Sequence, residues 1–244
     1  MNLIIDIGNT SIKLAVFQMN KIVNTRTLQD CKLELEVDNV LLEFPKINQG
    51  IISCVGILPK KEIEKIQKKI SLIFLNQDSK LPFKLQYSTT GTLGSDRLAL
   101  VAAACNQYNG KNVLVIDAGS CITYDFVNEL AEYKGGSISP GFSLRYKSLN
   151  LFTSKLPELE FTPQNDIIGN STESSIQSGI FFGILGELKN QISYYKENFK
   201  NLTVILTGGD ADKLSNQIKN SIFANHNFIS KGLYTVLQLN TDEF

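Results

Sequence analysis

Five short stretches of the chain carry residue types that could do chemistry. In the first, the apolar run Leu3-Ile4-Ile5 ends on Asp6, and Gly8, Asn9 and Thr10 make a polar break. An alternating run follows and carries a single cation, Lys13. A glycine-hydroxyl turn presents backbone N–H groups to an anion, and glycine lets the backbone come close. An acid beside phosphate would repel it unless a metal bridges the two. Asp6 therefore points to Mg²⁺, held through water, because Mg²⁺ keeps several of its waters. Lys13 would neutralise phosphate charge. The pattern recurs at 112–127, where Val113 to Ile116 runs into Asp117, with Gly119 two residues on. A Thr-Gly-Gly-Asp turn stands at 207–210 and suits an adenosine-side contact, or a helix start with Asp210 as its cap. One Asp-x-Gly-Asn hairpin alone is also ordinary turn chemistry; the recurrence shifts the balance towards two hairpins facing each other and holding a nucleotide between two halves.

A further stretch, GTLGSDRLAL at 91–100, sets the polar pair Asp96-Arg97 ahead of an apolar helix. Asp96 can be a helix cap, or a base with Arg97 as an anion clamp. Phosphoryl transfer needs the acceptor hydroxyl aligned and the phosphate charge neutralised, so one carboxylate suffices as base. Asp96 is the candidate. In GNSTESSIQSG at 169–179, Ser171 or Thr172 caps a long helix, whose N-terminus also suits a carboxylate ligand.

These groups must be positioned by regular elements. Residues 2–7, 11–18 and 21–28 read as strands of an antiparallel meander with very short breaks. A helical pattern fits 33–44, a buried strand 51–55, an amphipathic helix 60–70 with Ile63, Ile66 and Ile70 inward, and a short strand 72–75. A helix follows at 95–108. The second set repeats the plan, with strands leading to and following Asp117, a third at 130–138, a segment at 142–152 and a long helix at about 172–199. In that helix Ile176, Ile180, Ile184, Leu188, Ile192 and Tyr195 mark one face. A strand at 202–206 and a helix at 211–220 complete the plan. The reading is an α/β chain of two similar halves, each opening with a β-meander and continuing into helices, with the boundary within or after the helix at 95–108.

Composition bounds the partners. The 244 residues are 43% hydrophobic and 20% charged, with 24 Lys+Arg against 24 Asp+Glu. A net charge of zero and no basic run argue against nucleic acid as a partner. No apolar stretch approaches the roughly 20 residues that span a bilayer, and no signal peptide is read. Cys31, Cys54, Cys105 and Cys121 lack CxxC spacing, and with the lone His226 they form no zinc pattern. Reduced cysteines in a cytoplasmic protein are expected, so the N-x-S/T triplets at Asn9, Asn170 and Asn201 are chance matches.

The motifs DIGNT (6–10), GSDR (94–97), DAGSCIT (117–123), GGSISPG (135–141), GNSTESSIQSG (169–179) and TGGD (207–210) together resemble the type III pantothenate kinase family, in order and spacing. That family lies in the superfamily of acetate and sugar kinases, Hsc70 and actin. The resemblance implies a duplicated actin-like ATPase fold of two ribonuclease-H-like halves, 1–108 and 109–244, each a mixed sheet with flanking helices. It implies ATP-dependent phosphorylation of pantothenate to 4′-phosphopantothenate, the first step towards coenzyme A. Asp6, Ile7, Gly8, Asn9, Thr10, Ser11, Ile12 and Lys13 would bind the ATP phosphates, with Asp6 on Mg²⁺, and Ser120 would face ATP. Asp96 would accept the proton. Gly94, Ser95, Asp96 and Arg97 would hold pantothenate, with Tyr87 a further contact. Asp117 would bind a monovalent cation, K⁺ or NH₄⁺, and Thr172 would touch pantothenate from the partner of a homodimer. The family usually has Thr where Ser120 stands; Ser keeps the hydroxyl and loses the methyl. Two alternatives remain: a kinase of the same superfamily acting on a sugar or short carboxylic acid, and a catalytically silent relative serving as a transcription accessory factor.

Overall fold

A computed structural model describes residues 1–29, 32–215, 217, 218, 222–224 and 227–241. Cys31 and His226 lie outside the described residues. The chain forms two compact α/β units. The first comprises Met1–Asn109 together with the C-terminal helix, and the second begins at Gly110.

In the first unit, β1 (Asn2–Ile7), β2 (Ile12–Gln18) and β3 (Lys21–Leu28) form the expected meander. The β2–β3 turn is only Met19-Asn20, both at positive φ (46° and 63°), the primed geometry that matches strand twist in two-residue hairpins. Next come α1 (Leu33–Glu43), β4 (Gln49–Cys54), α2 (Lys60–Gln67), β5 (Ser71–Phe74) and the two-residue β6 (Lys84–Leu85). A single 3₁₀ turn at Thr90–Thr92 precedes α3 (Ser95–Gln107). The sheet order is β3-β2-β1-β4-β5, with β1 and β4 parallel and the meander antiparallel. Leu33, Val37 and Val40 of α1 and Ile63 and Ile66 of α2 close one face over Leu3, Ile5, Ile7 and Ile52.

The second unit opens with β7 (Val113–Ala118), β8 (Cys121–Val127) and β9 (Glu132–Pro140). It continues with α4 (Phe142–Leu151), α5 (Thr172–Asn198), β10 (Thr203–Thr207), α6 (Ala211–Ser215) and β11 (Ile222–Ala224). Five strands of this unit run in the order β11-β10-β7-β8-β9, with β10 parallel to β7 and β11. On α5, Ile176, Ile180, Ile184, Leu188 and Ile192 are buried in one cluster with strands β7, β8 and β10, as their spacing predicts. Tyr195 is only half-buried. Burial of a side chain the size of Leu188 contributes about 1.5–3 kcal/mol. The helix expected over 211–220 is Ala211–Ser215; residues 216, 219 and 220 lie outside the described residues.

The C-terminal helix α7 (Phe228–Thr241) has no counterpart in the sequence reading. It packs on α3, and Phe17 of β2 stacks on its Tyr234 with ring centroids 4.3 Å apart. The contact with α3 is made backbone to backbone. A Cβ at Gly232 would stand 1.7 Å from the Ala99 carbonyl oxygen. Gly232→Ala should therefore destabilise the protein by about 1–3 kcal/mol in chemical denaturation, because overpacking outweighs the roughly 1 kcal/mol that Ala gains over Gly in a helix. Unchanged stability would contradict the close helix pair.

Candidate active site

The first unit brings four polar groups to the end of β1. Asp6 is opposite Lys13 on β2 and opposite Ser53 on β4. It is only 8% exposed. Burial pushes its carboxyl up to about 6; Lys13 and a hydrogen bond from Ser53 oppose that shift, and Asp96 adds to it. The turn beyond is tight: Gly8 N donates to Ser11 O at 3.0 Å. Val55 N and Gly56 N both donate to Ile7 O, at 3.0 and 3.3 Å. A Cβ at Gly56 would lie 2.4 Å from the Gly8 carbonyl oxygen, so the two turns meet through bare backbone. Asn9 and Thr10 are exposed, while Ser11, Ile12 and Lys13 are half-buried.

Ser53 links this tip to α3. Its hydroxyl lies 3.0 Å from Ser95 Oγ, which also accepts from Cys54 N at 3.0 Å. Both serines are buried. The residue that flanks the start of α3 is Gly94, so Asp96 stands inside the first turn and is not the cap. Asp96 Oδ1 accepts from Arg97 N at 2.8 Å. A Cβ at Gly94 would come within 2.4 Å of that oxygen, so glycine there leaves the carboxylate its place. Burial raises the Asp96 pKa above the usual carboxylate value, while the Arg97 N–H and the Arg97 charge pull it down. Arg97 is 5% exposed, and its guanidinium lies 5.8 Å from the Tyr87 ring centroid. Sequence reasoning missed Ser53. A serine in an otherwise apolar strand, directly followed by Cys54, was the available signal.

In the second unit Asp117 stands next to the end of β7, opposite Thr123 on β8 and Thr207 on β10. Three loops converge there. Gly119 N donates to Cys121 O at 3.0 Å, Gly141 N to Ser120 O at 2.9 Å, and Asp210 N to Ala118 O at 2.9 Å. Gly208 has φ of +96°, and a Cβ there would meet Asp117 Oδ1 at 2.4 Å and Ala118 O at 2.3 Å. The Asp210 carboxylate accepts from Lys213 Nζ at 2.5 Å, and that ammonium lies over the Phe142 and Phe161 rings. Ser171, rather than Thr172, caps α5: its Oγ accepts from Ser174 N at 3.1 Å, and Ser174 Oγ accepts from Ser171 N at 2.9 Å. Thr172 is exposed and lines a cavity of about 950 Å³ with Arg145, Leu149, Leu156, Asn170 and Ile176. None of residues 117–120 lines that cavity.

Among the described residues no three His, Cys, Asp or Glu side chains cluster to hold a metal. The donor sets are single carboxylates beside hydroxyl and carbonyl oxygens. Such oxygen donors suit hard cations, so Asp6 would be able to hold Mg²⁺ and Asp117 a monovalent cation.

Solved structures share the architecture. The activator of 2-hydroxyisocaproyl-CoA dehydratase from Clostridium difficile, solved with bound ADPNP, superposes with a TM-score of 0.54 at 12% identity, covering 99% of this chain and 96% of that one. A protein assigned as a Baf family transcriptional activator from Campylobacter jejuni gives 0.62 at 24% identity, covering 98% and 99%. Likeness at that level carries the fold alone. The family comes from sequence: a model of the type III pantothenate kinase family matches residues 2–194. A type III pantothenate kinase of Christiangramia forsetii is 49% identical over 240 residues, 98% of this chain and 99% of the relative. The chain belongs to the type III pantothenate kinase family.

The Ser53 contact can be tested directly. A hydrogen bond to the charged form lowers a carboxyl pKa, so Ser53→Ala should raise that of Asp6 above its value of about 6 in the free protein. Carboxyl ¹³C NMR titration reads the shift. A fall, or no change, would remove Ser53 from the site.

Proposed function

We propose that the chain transfers the γ-phosphoryl group of ATP to the hydroxyl of pantothenate, giving 4′-phosphopantothenate and ADP. The observation that carries this reading is the buried Asp6 with the half-buried Asp96 near it, held in one unit by the Ser53–Ser95 contact, in a chain of this family.

The roles follow from the chemistry of each group. The turn Asp6, Ile7, Gly8, Asn9, Thr10, Ser11, Ile12 offers N–H and hydroxyl donors to the ATP phosphates, and Lys13 offsets their charge. Mg²⁺, held through water at Asp6, supplies further neutralisation of the phosphate oxygens. Asp96 takes the proton of the acceptor hydroxyl as that oxygen attacks the γ-phosphorus. Its raised pKa makes it a stronger base than an ordinary carboxylate, closer to the value that general-base catalysis near neutral pH favours. Gly94, Ser95 and Arg97 hold pantothenate with Tyr87, and Arg97 is the natural partner for its carboxylate. Ser120 contacts ATP. Asp117 holds K⁺ or NH₄⁺, which relieves the repulsion between this acid and phosphate. The enzyme works as a homodimer in the cytoplasm, with Thr172 of each chain reaching pantothenate on the other.

Purified protein should release ADP with ATP and pantothenate and not with a panel of sugars or acetate, and the product should have the mass of 4′-phosphopantothenate. Replacing Na⁺ or Tris by K⁺ or NH₄⁺ should raise the rate at least about tenfold, equivalent to about 1.4 kcal/mol of transition-state stabilisation. Turnover of a sugar instead, or of nothing, would overturn the substrate assignment; a rate indifferent to the cation would overturn the role of Asp117.

Mixing an Asp96→Asn chain with a Thr172→Arg chain should restore about a quarter of wild-type activity. Half of randomly mixed dimers are hybrids, and each holds one intact site of two. A mixture as inactive as its parts, or a fully active monomer in sedimentation, would refute the shared pocket.

A further inference from the structure

We propose that Glu187 is a positioning residue for the Ser120 tip, acting through Arg145 and the Ser139–Gly141 segment. The inference rests on the reading of Ser120 as an ATP contact.

Glu187 lies on the long helix α5 between the buried Leu185 and Leu188. A glutamate rarely turns inward unless it is partnered. Here one carboxylate collects three side chains from three other elements. Its Oε1 accepts from Tyr124 Oη of β8 at 2.7 Å. Its Oε2 accepts from Ser139 Oγ of β9 at 2.9 Å and from Arg145 Nη2 of α4 at 2.5 Å. Arg145 is thereby aimed: Nη2 also donates to Ser139 Oγ at 3.0 Å, and Nε donates to the Pro140 carbonyl at 2.8 Å. The next residue, Gly141, donates its N–H to Ser120 O. A Cβ at 141 would stand 2.0 Å from the Gly119 carbonyl oxygen, so the two backbones touch directly with no side chain between them. An ångström of movement at Ser139–Pro140 therefore reaches Ser120.

The Arg145 and Glu187 side chains are 21% and 26% exposed. An isolated pair at such exposure contributes little stability. What the network supplies is direction: a planar guanidinium fork held at one end and gripping the backbone at the other. The competing role is a plain structural one, in which Glu187 only satisfies the Tyr124 hydroxyl.

Glu187→Gln separates the two, because the amide oxygen still accepts from Tyr124 while the charge that orients Arg145 is gone. The KM for ATP should rise about fivefold or more, within the range of coupled neighbours, while the KM for pantothenate stays within about twofold. Ile192→Val, a core change on the same helix, should leave both KM values alone. In the Ser120→Ala background Glu187→Gln should add little, since both act on one contact. Arg145→Lys, which loses the Nε bond to Pro140, should repeat the ATP effect and serves if Glu187→Gln folds poorly. An ATP KM within about twofold of wild type in Glu187→Gln or Arg145→Lys, while Ser120→Ala is impaired, would overturn the proposal alone, as would effects that multiply in the double variant. An unimpaired Ser120→Ala would overturn the Ser120 reading, and this proposal with it.

Discussion

A carboxylate at the buried end of a strand is the constraint around which the first unit is arranged. Desolvation disfavours its charge and is the largest cause that raises the Asp6 pKa to about 6. Lys13 reaches it across the antiparallel pair, and Ser53 reaches it across the parallel one. Neither fully offsets burial. The second carboxylate, Asp96, works in the opposite direction. Its place follows from the same strand, because Ser53 binds Ser95 and Ser95 begins the turn that carries Asp96. The position of the proposed base is thus inherited from the sheet through two hydroxyl groups.

This arrangement trades stability for chemistry. A carboxyl whose folded pKa lies above its unfolded value of 3.8 favours folding most at low pH, and that contribution is lost as pH rises towards about 6. The shift corresponds to about 3 kcal/mol at neutral pH, a large share of a typical domain's stability. A cation bound beside Asp6 favours its charged form and offsets that cost. The second unit also relies on close approach, with glycine backbone brought against the Asp117 turn. Gly208 and Gly141 sit where any Cβ would collide with residues 117–119.

Much of this was legible in the sequence because it is local. Asp6-x-Gly8 and Asp117-x-Gly119 each place an acid, a turn and a returning strand within a few residues. The burial of α5 follows from isoleucines and leucines one helical turn apart. What was not legible depends on distant partners. Ser53 reads as a tolerated polar residue until β4 is placed beside β1. Glu187 reads as a surface charge until β8, β9 and α4 are packed beneath it. The C-terminal helix escaped because Gly232, which lowers helix propensity, is required by the Ala99 carbonyl of a helix far away in sequence. Its return to the first unit is a tertiary fact with no local trace.

In the proposed reaction Asp96 acts as the base and is not merely a residue of the first turn of α3. The measurement that tests it is the turnover of Asp96→Asn, read beside its ATP affinity and thermal stability. The amide cannot accept the hydroxyl proton, yet it nearly matches the carboxyl in shape and can still accept from Arg97 N. With Asp96 as the base, the kcat of Asp96→Asn falls by about 10²–10⁴, with ATP binding and the fold nearly intact. A variant that keeps more than about a tenth of wild-type kcat would contradict it and move the search for the base to Asp6.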